Sequence, residues 1–300
     1  INVKDKVIEF ETGNVLIGSV SRLYMSNKCL LIADHKSVDK QIHIFNKNDF
    51  SYLTSIGNFG EGPEEITVMG CLAIDEAHHQ LYVSDHAKQK IFSYDMDSVM
   101  VDSLYKPQVK TAMNETLFPS EYQYINDTLS IAVLIKPTST STFNQFLGRW
   151  NMNTGEMIPM KYTHPDIQKK RITFAASEKA GIYVECYTRH DLMTICSLDG
   201  ELLYNIYGPD WDGGNGNKLQ SFGTVMIGND KIFVSYCGED YARDSFPTKI
   251  LVFDLEGNYL KTLETGYKIS DCCYDSFNNR IILSLNDVVQ FAYLDIDGII

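Results

Sequence analysis

The chain predicts an all-β fold, a six-bladed β-propeller with four-stranded antiparallel blades, and three observations carry that prediction. Short apolar or alternating segments recur between Asp, Asn and Gly turns, and long helical periodicity is almost absent. Segments of the same second-strand character start at residues 30, 81, 130, 182, 232 and 281, so they lie 51, 49, 52, 50 and 49 residues apart. A third strand and an outer strand follow within most periods. A period near 50 residues with four strands per unit suits a propeller blade, which buries its faces against its neighbours.

The second strands are read at Leu30 to Asp34, Leu81 to Asp85, Ser130 to Leu134, Ile182 to Cys186, Ile232 to Tyr236 and Ile281 to Leu285. Third strands follow at Ile42 to Asn46, Ile91 to Asp95, Phe146 to Asn151, Met193 to Leu198, Ile250 to Leu255 and Val289 to Asp295. Hairpin residues come next, notably Asn153-Thr154-Gly155, Asp199-Gly200 and Glu256-Gly257-Asn258. Outer strands are expected at Tyr52 to Ile56, Val101 to Tyr105, Met157 to Lys161, Leu202 to Tyr207 and Tyr259 to Leu263. The sixth unit has an inner strand near Asp271 to Asp275 but only Ile299-Ile300 after its Asp297-Gly298 turn, so its outer strand is missing. The unassigned segment Val3 to Phe10 fills that edge in this reading, making residues 1–300 one domain. The stretch Gly57 to Glu65 is a rigid crossing between the first two units, because its glycines supply special backbone geometry and Pro63 fixes φ.

Composition narrows the function. Thirty-nine acidic against 26 basic residues give a net charge of -13, which repels a phosphate backbone and speaks against nucleic acid as a partner. No stretch approaches the roughly 20 apolar residues that span a bilayer, and residues 1–20 lack the basic start and apolar block of a signal peptide. The chain starts at Ile1, which is read as the mark of a processed form with a removed export signal or lipid anchor. Seven cysteines contain no C-x-x-C pair and mostly lie in apolar strand segments, where they read as small core residues.

Candidate site residues are sought in the loops entering the innermost strands and joining second to third strands, which share one end of a propeller. Arg22, Arg171, Arg189 and Arg243 stand out in an acidic chain. If their loops converge, their donor forks bind a carboxylate, a sulfate or an acidic sugar, with Tyr122 or Tyr241 as an apolar platform. Otherwise they are surface ion pairs. Glu65, His190 and Asp240 complete the candidate set, and the polar loops 136–145 and 237–249 are expected to rim one entrance.

Catalytic and metal signatures are weak by comparison. His78-His79 reads as an exposed turn, and no H-E-x-x-H or close His/Cys cluster supplies a tetrahedral set. Residues 210–218 offer Asp210, Asp212 and nearby Asn residues as a calcium loop, but lack the glutamate at the twelfth position of an EF-hand. The glycines of 57–65 have no G-K-S/T ending or following helix, which removes the phosphate-cradle reading. No cofactor is implied.

Gly60, Gly62, Pro63 and Glu65 resemble the G-x-G-P-G/E-E junction of NHL-like and TolB-like six-bladed propellers, especially secreted or lipid-anchored proteins of Bacteroides-type bacteria. Glu64 stands where glycine is common in that motif. The resemblance implies an exported protein at the periplasm or cell surface, with a lipid anchor upstream of Ile1. It leaves the activity open, and a complete scaffold with elaborated loops and no coherent catalytic constellation reads as a binding scaffold that recognises a small molecule, a glycan or an envelope protein at one propeller face. The alternative it leaves open is a calcium-dependent lactonase-like hydrolase or lyase drawing on Glu65, Asp271 and Asn286.

Overall fold

The computed structural model describes residues 1–216 and 218–300, and in it the described residues form six four-stranded antiparallel sheets. Packing divides the chain into two compact units, residues 12–159 and residues 1–11 with 160–300, each carrying three sheets. A 3-10 turn at Lys4–Lys6 leads into the first strand, β1 (Val7–Glu9).

In the unit 12–159 the first sheet is β2 (Ser21–Met25), β3 (Cys29–Asp34), β4 (Lys40–Asn46) and β5 (Tyr52–Asn58). The second is β6 (Met69–Asp75), β7 (Gln80–Asp85), β8 (Lys90–Asp95) and β9 (Gln108–Ala112), with helix α1 (Met96–Val101) between its last two strands. The third is β10 (Phe118–Asn126), β11 (Leu129–Pro137), β12 (Phe143–Trp150) and β13 (Met157–Pro159). Strand alternation sends side chains of the second sheet into two separate cores. Leu72, Leu81, Val83 and Phe92 pack with Leu31 and Ile44 of the first sheet, whereas Cys71, Tyr82 and Ile91 pack with Ala132, Leu134 and Trp150 of the third. Inner strands buried on both faces therefore read as unbroken apolar runs.

The unit 1–11/160–300 continues with β14 (Ile172–Ser177), β15 (Ile182–Tyr187), β16 (Leu192–Ser197) and β17 (Leu202–Tyr207). Its next sheet is β18 (Leu219–Gly228), β19 (Lys231–Asp240), β20 (Lys249–Asp254) and β21 (Tyr259–Glu264). The last holds β22 (Ile269–Asp275), β23 (Arg280–Leu285) and β24 (Phe291–Asp295), and its fourth strand is β1, paired through Val7↔Leu294, Ile8↔Tyr293 and Glu9↔Ala292. The expected closure by the N-terminal segment is present. Residues 1–10 also reach the neighbouring sheet: Val3 N–H donates to the Glu264 carbonyl at 2.9 Å, and Glu264 N–H to that of Ile1 at 2.8 Å. Val3 is buried among Phe233, Val252, Leu283 and Leu294, and Phe10 stacks on Phe291 with ring centres 5.9 Å apart.

Three sequence expectations are corrected. Val101 to Tyr105 is not the outer strand of the second sheet. The Asp95 carboxylate accepts the Ser98 N–H at 2.7 Å and Val99 is buried in the first core, so an N-cap and one apolar anchor win over the β-branched composition. The outer strand falls beyond Pro107, at β9. The loop 136–145 is mostly hairpin, since β11 and β12 pair out to Pro137↔Phe143 around a turn closed by Thr138 N–H to the Thr142 carbonyl at 2.9 Å. Likewise β19 runs to Asp240, pairing Leu219↔Asp240, before a 3-10 turn at Tyr241–Arg243.

The glycine-rich crossing is held from inside. The Glu65 carboxylate accepts the Gly62 N–H at 2.8 Å, in space where a Cβ at Gly60 would collide with it. Gly57 stands at φ +75°, in the left-handed region that favours glycine. The Lys88 ammonium donates to the Gly62 carbonyl at 2.6 Å and to the Glu65 carbonyl.

Deleting residues 1–10 removes β1 together with buried Val3 and Phe10. At about 1.5–3 kcal/mol per buried apolar side chain, and about 2–4 °C per kcal/mol, the melting temperature should fall by about 6 °C or more. A calorimetric shift under about 2 °C would contradict the pairing.

Candidate functional site

Within residues 160–300 the start of β14, the β15–β16 connection, β18 and the turn after β19 enclose an open cleft of about 540 Å³. Backbone bonds fix its floor. The Arg171 carbonyl accepts the Thr188 N–H at 3.0 Å, and the Thr188 carbonyl accepts the Ser221 N–H at 3.0 Å, tying three strand ends together. Arg171 Nη1 donates to the Lys170 carbonyl at 2.7 Å. The Arg189 guanidinium lies over the Tyr241 ring, its Cζ 3.0 Å from the ring centre. Tyr241 is placed by its N–H to the Lys218 carbonyl at 2.6 Å and by the Asp240 carboxylate, which accepts the Ala242 N–H at 2.9 Å.

The lining has a clear chemical bias. Two guanidiniums line it with hydroxyl and amide groups of Thr173, Thr188, Gln220 and Ser270 and with Tyr241 and Phe246 as aromatic surface, and among the described residues none of the lining is acidic. Asp271, just behind, has a carboxylate oxygen 2.7 Å from the Thr224 hydroxyl. In a chain of net charge -13 this is a local reversal of sign, and planar donor forks suit a carboxylate or a sulfate. A second cleft, of about 490 Å³ in the unit 12–159, has Leu31, Leu53, Ile74 and Met100 beside Lys28 and the carboxylates of Asp75, Glu76 and Asp97, a rim that keeps the acidic balance of the chain.

Beneath the cleft runs a buried ionic network. Lys170 Nζ and Glu185 Oε1 are 2.6 Å apart with side chains 7% and 1% exposed, and the Tyr187 hydroxyl donates to Glu185 Oε2 at 3.1 Å. Because Arg171 donates to the Lys170 carbonyl, the residue this pair anchors also steadies the arginine.

Of the nine candidate residues, the structure brings together Arg171, Arg189 and Tyr241. The others go elsewhere. Arg22 pairs with Glu121 at 2.6 Å, and Arg243 with Glu239 at 3.0 Å, both at the surface. Asp240 serves as a turn cap. Tyr122 is 5% exposed and packs edge-on against Trp150, so it offers no platform. Glu65 is folded into its own junction. His190 points away from its neighbour Arg189 and is buried against Tyr187 and Trp211, where Gly216 leaves room for its ring. Sequence reasoning missed Thr188 and Gln220, which carry no composition signal.

The calcium readings find little geometric support. Asp212 spends both carboxylate oxygens on the N–H groups of Gly214 (3.1 Å) and Gly216 (2.6 Å) in its own loop; Asn217 lies outside the described residues. Neither Glu65 nor Asp271 belongs to a group of three His, Cys, Asp or Glu side chains with ligand atoms within 4.8 Å, among the described residues. Asn286 engages the Lys268 carbonyl through its backbone N–H at 2.8 Å. All seven cysteines are unbridged and buried, and burial pushes the Cys71 thiol up to about 12.

Comparison with known proteins bears on the fold. The family DUF5128, described as a 6-bladed beta-propeller, matches residues 4–146, just under half of the chain. No curated protein matches it. Similar solved structures include a Bacteroides fragilis protein described as exported, 14% identical, covering 94% of this chain and 85% of its own, with a TM-score of 0.60. Another is a DUF4221 family member of Bacteroides vulgatus, 11% identical, covering 96% and 94%, with a TM-score of 0.61. The β-propeller domain of Cps50 (Swd1) from Myceliophteria thermophila is 9% identical over 94% and 98%, with a TM-score of 0.57. The fold is an all-β six-bladed propeller with four-stranded antiparallel blades.

Replacing Lys170 alone by Met should cost about 3–5 kcal/mol in denaturant unfolding, because Glu185 is left charged and buried; the double change K170M/E185L should recover most of that. Equal losses in the two variants would show that the pair is not coupled. Burial lowers the pKa of His164 and of His190, the latter also by its proximity to His164 and against the pull of Asp212. Both therefore bind fewer protons folded than unfolded, so stability is lost as pH falls below about 6.5, the unfolded value. His190→Phe should flatten that acid limb in melting curves from pH 7 to 5; an unchanged slope would remove His190 from it.

Proposed function

We propose that this protein is a non-enzymatic binding module whose cleft at Arg171, Arg189 and Tyr241 takes a small molecule or glycan bearing a carboxylate or sulfate. The carrying observation is the pairing of two guanidiniums in a cleft with no acidic side chain among its described lining residues, in a strongly acidic chain. Charge-assisted, fork-shaped hydrogen bonding of this kind gives both affinity and orientation. The hydroxyl and amide groups of Thr173, Thr188, Gln220 and Ser270 suit the polar body of such a ligand, and Tyr241 and Phe246 suit its flat, apolar face. Arg189 is held by Tyr241 before any ligand arrives, which lowers the ordering cost of binding.

The fold likeness to Bacteroides proteins, one of them described as exported, supports a working place outside the cytoplasm, in the periplasm or at the cell surface. There the ligand class would include acidic saccharides.

Calorimetric titration with a panel of uronic-acid and sulfated saccharides, beside their neutral counterparts, tests the reading. Charged members should bind and neutral ones should not. Arg171→Ala and Arg189→Ala should each weaken the best ligand about 10- to 100-fold, the scale of a lost charged hydrogen bond at about 1.5–3 kcal/mol. Unchanged affinity in both variants would take the cleft out of the function.

A further inference from the structure

The hairpin turn joining β6 to β7 carries a second chemistry, built from residues that the cleft does not use. Asp75 is buried at the end of β6, and its Oδ2 lies 2.8 Å from Nδ1 of the exposed His78. Asp127, in the turn after β10, brings a carboxylate oxygen to the same place, so that ligand atoms of Asp75, His78 and Asp127 all lie within 4.8 Å of one another. Each carboxylate is oriented by a tyrosine hydroxyl: Tyr82 donates to Asp75 Oδ2 at 3.1 Å and Tyr124 to Asp127 Oδ1 at 2.6 Å. Such outer hydrogen bonds are what fix first ligands around a cation.

The chain contains its own control for this turn. Between β22 and β23, Asp275 takes the place of Asp75: its Oδ1 accepts the Asn278 N–H at 3.3 Å and its Oδ2 the Asn278 side-chain amide at 2.7 Å. In the β6–β7 turn the corresponding bonds are His78 N–H to Asp75 Oδ1 at 3.1 Å and the imidazole contact. His79 and Asn279 both stand at positive φ, 52° and 47°. An asparagine thus satisfies the geometry of this turn. The histidine at position 78 is more than the turn requires, and its added property is a nitrogen lone pair.

We propose that Asp75, His78 and Asp127 form a binding site for a divalent cation of the zinc class. One imidazole nitrogen and two carboxylates suit such an ion, with water completing a tetrahedron. The cation takes the position of the proton shared between His78 Nδ1 and Asp75 Oδ2; a doubly protonated imidazole gives that proton to solvent, and a neutral one carries its single proton on Nε2 instead. Tetrahedral ligands at about 2.0–2.1 Å from a metal sit roughly 3.3 Å apart, so the exposed His78 ring draws back by about half an ångström. Lys110, whose ammonium lies 5.5 Å from the centre of the Tyr82 ring, is the nearby cation that opposes binding, against two carboxylates that favour it. His79, paired with Asp97 at 2.8 Å, stands outside the set.

Isothermal titration of the full chain with Zn²⁺, and visible spectroscopy with Co²⁺, tests this against His78→Asn, the residue the equivalent turn already uses, and Asp127→Asn. His79→Asn serves as the control. The expected result is one saturable site in the wild type and in the His79 variant, weakened at least about tenfold in the other two, with unchanged circular dichroism in all. No saturable binding in the wild type, or wild-type affinity retained in His78→Asn and Asp127→Asn, would overturn the site. Loss of binding in His79→Asn alone would move the metal to the His79–Asp97 pair and overturn it as well.

Discussion

The pairing of β1 with β24 is the constraint on which the sequence of this protein converges. A sheet of β22 to β24 alone would present an open edge of unpaired backbone groups, and Val3 and Phe10 would be left in water. With β1 in place, the chain start and chain end share one core, in which Val3 touches residues of the fifth and sixth sheets together. The contact is also non-local to the highest degree the chain allows, since Val7 faces Leu294. Loop-closure entropy therefore weighs more on this pairing than on the hairpin pairings within each sheet.

Rigidity gained this way is what gives the cleft its meaning. Arg171 and Arg189 belong to one sheet, Gln220 and Tyr241 to the next, and they meet because backbone bonds run from Arg171 to Thr188 and from Thr188 to Ser221. The Lys170–Glu185 pair adds a second restraint from below. A buried ion pair is weak evidence for stability, because desolvation offsets most of its attraction, so its use here is more plainly positional. It holds the peptide whose carbonyl receives the Arg171 guanidinium.

Much of the architecture was legible in the residues, and the physical reason is burial. Second strands such as β3 and β15 are buried along their whole length, so apolar residues fill their positions apart from Asp34 and Glu185, and the period shows. Elements that stand in solvent were not legible. Residues 136–145 pair their backbones in a hairpin arm with Thr and Ser side chains outward, which leaves no alternation to read. Helix α1 hid behind Val99 and Val101, whose β-branched character outweighed the single Asp95–Ser98 cap. At the cleft, residue type pointed to Arg171, Arg189 and Tyr241, but nothing in the sequence separated them from Arg22 and Arg243, whose carboxylate partners Glu121 and Glu239 are set by register. The inward turn of Arg189 and the burial of His190 follow from opposite orientations of neighbours, which only the strand end determines.

Native-state hydrogen exchange, read residue by residue, tests the terminal closure most directly. The amides of Val3 and Phe10 donate to Glu264 and Phe291, at the two ends of the N-terminal segment. If that segment is an integral strand, they should exchange with the same opening free energy as the core amide of Leu283, and their rates should rise in step with it as denaturant is added. Exchange of Val3 and Phe10 at the rate of a frayed chain end, with Leu283 still protected, would contradict the account.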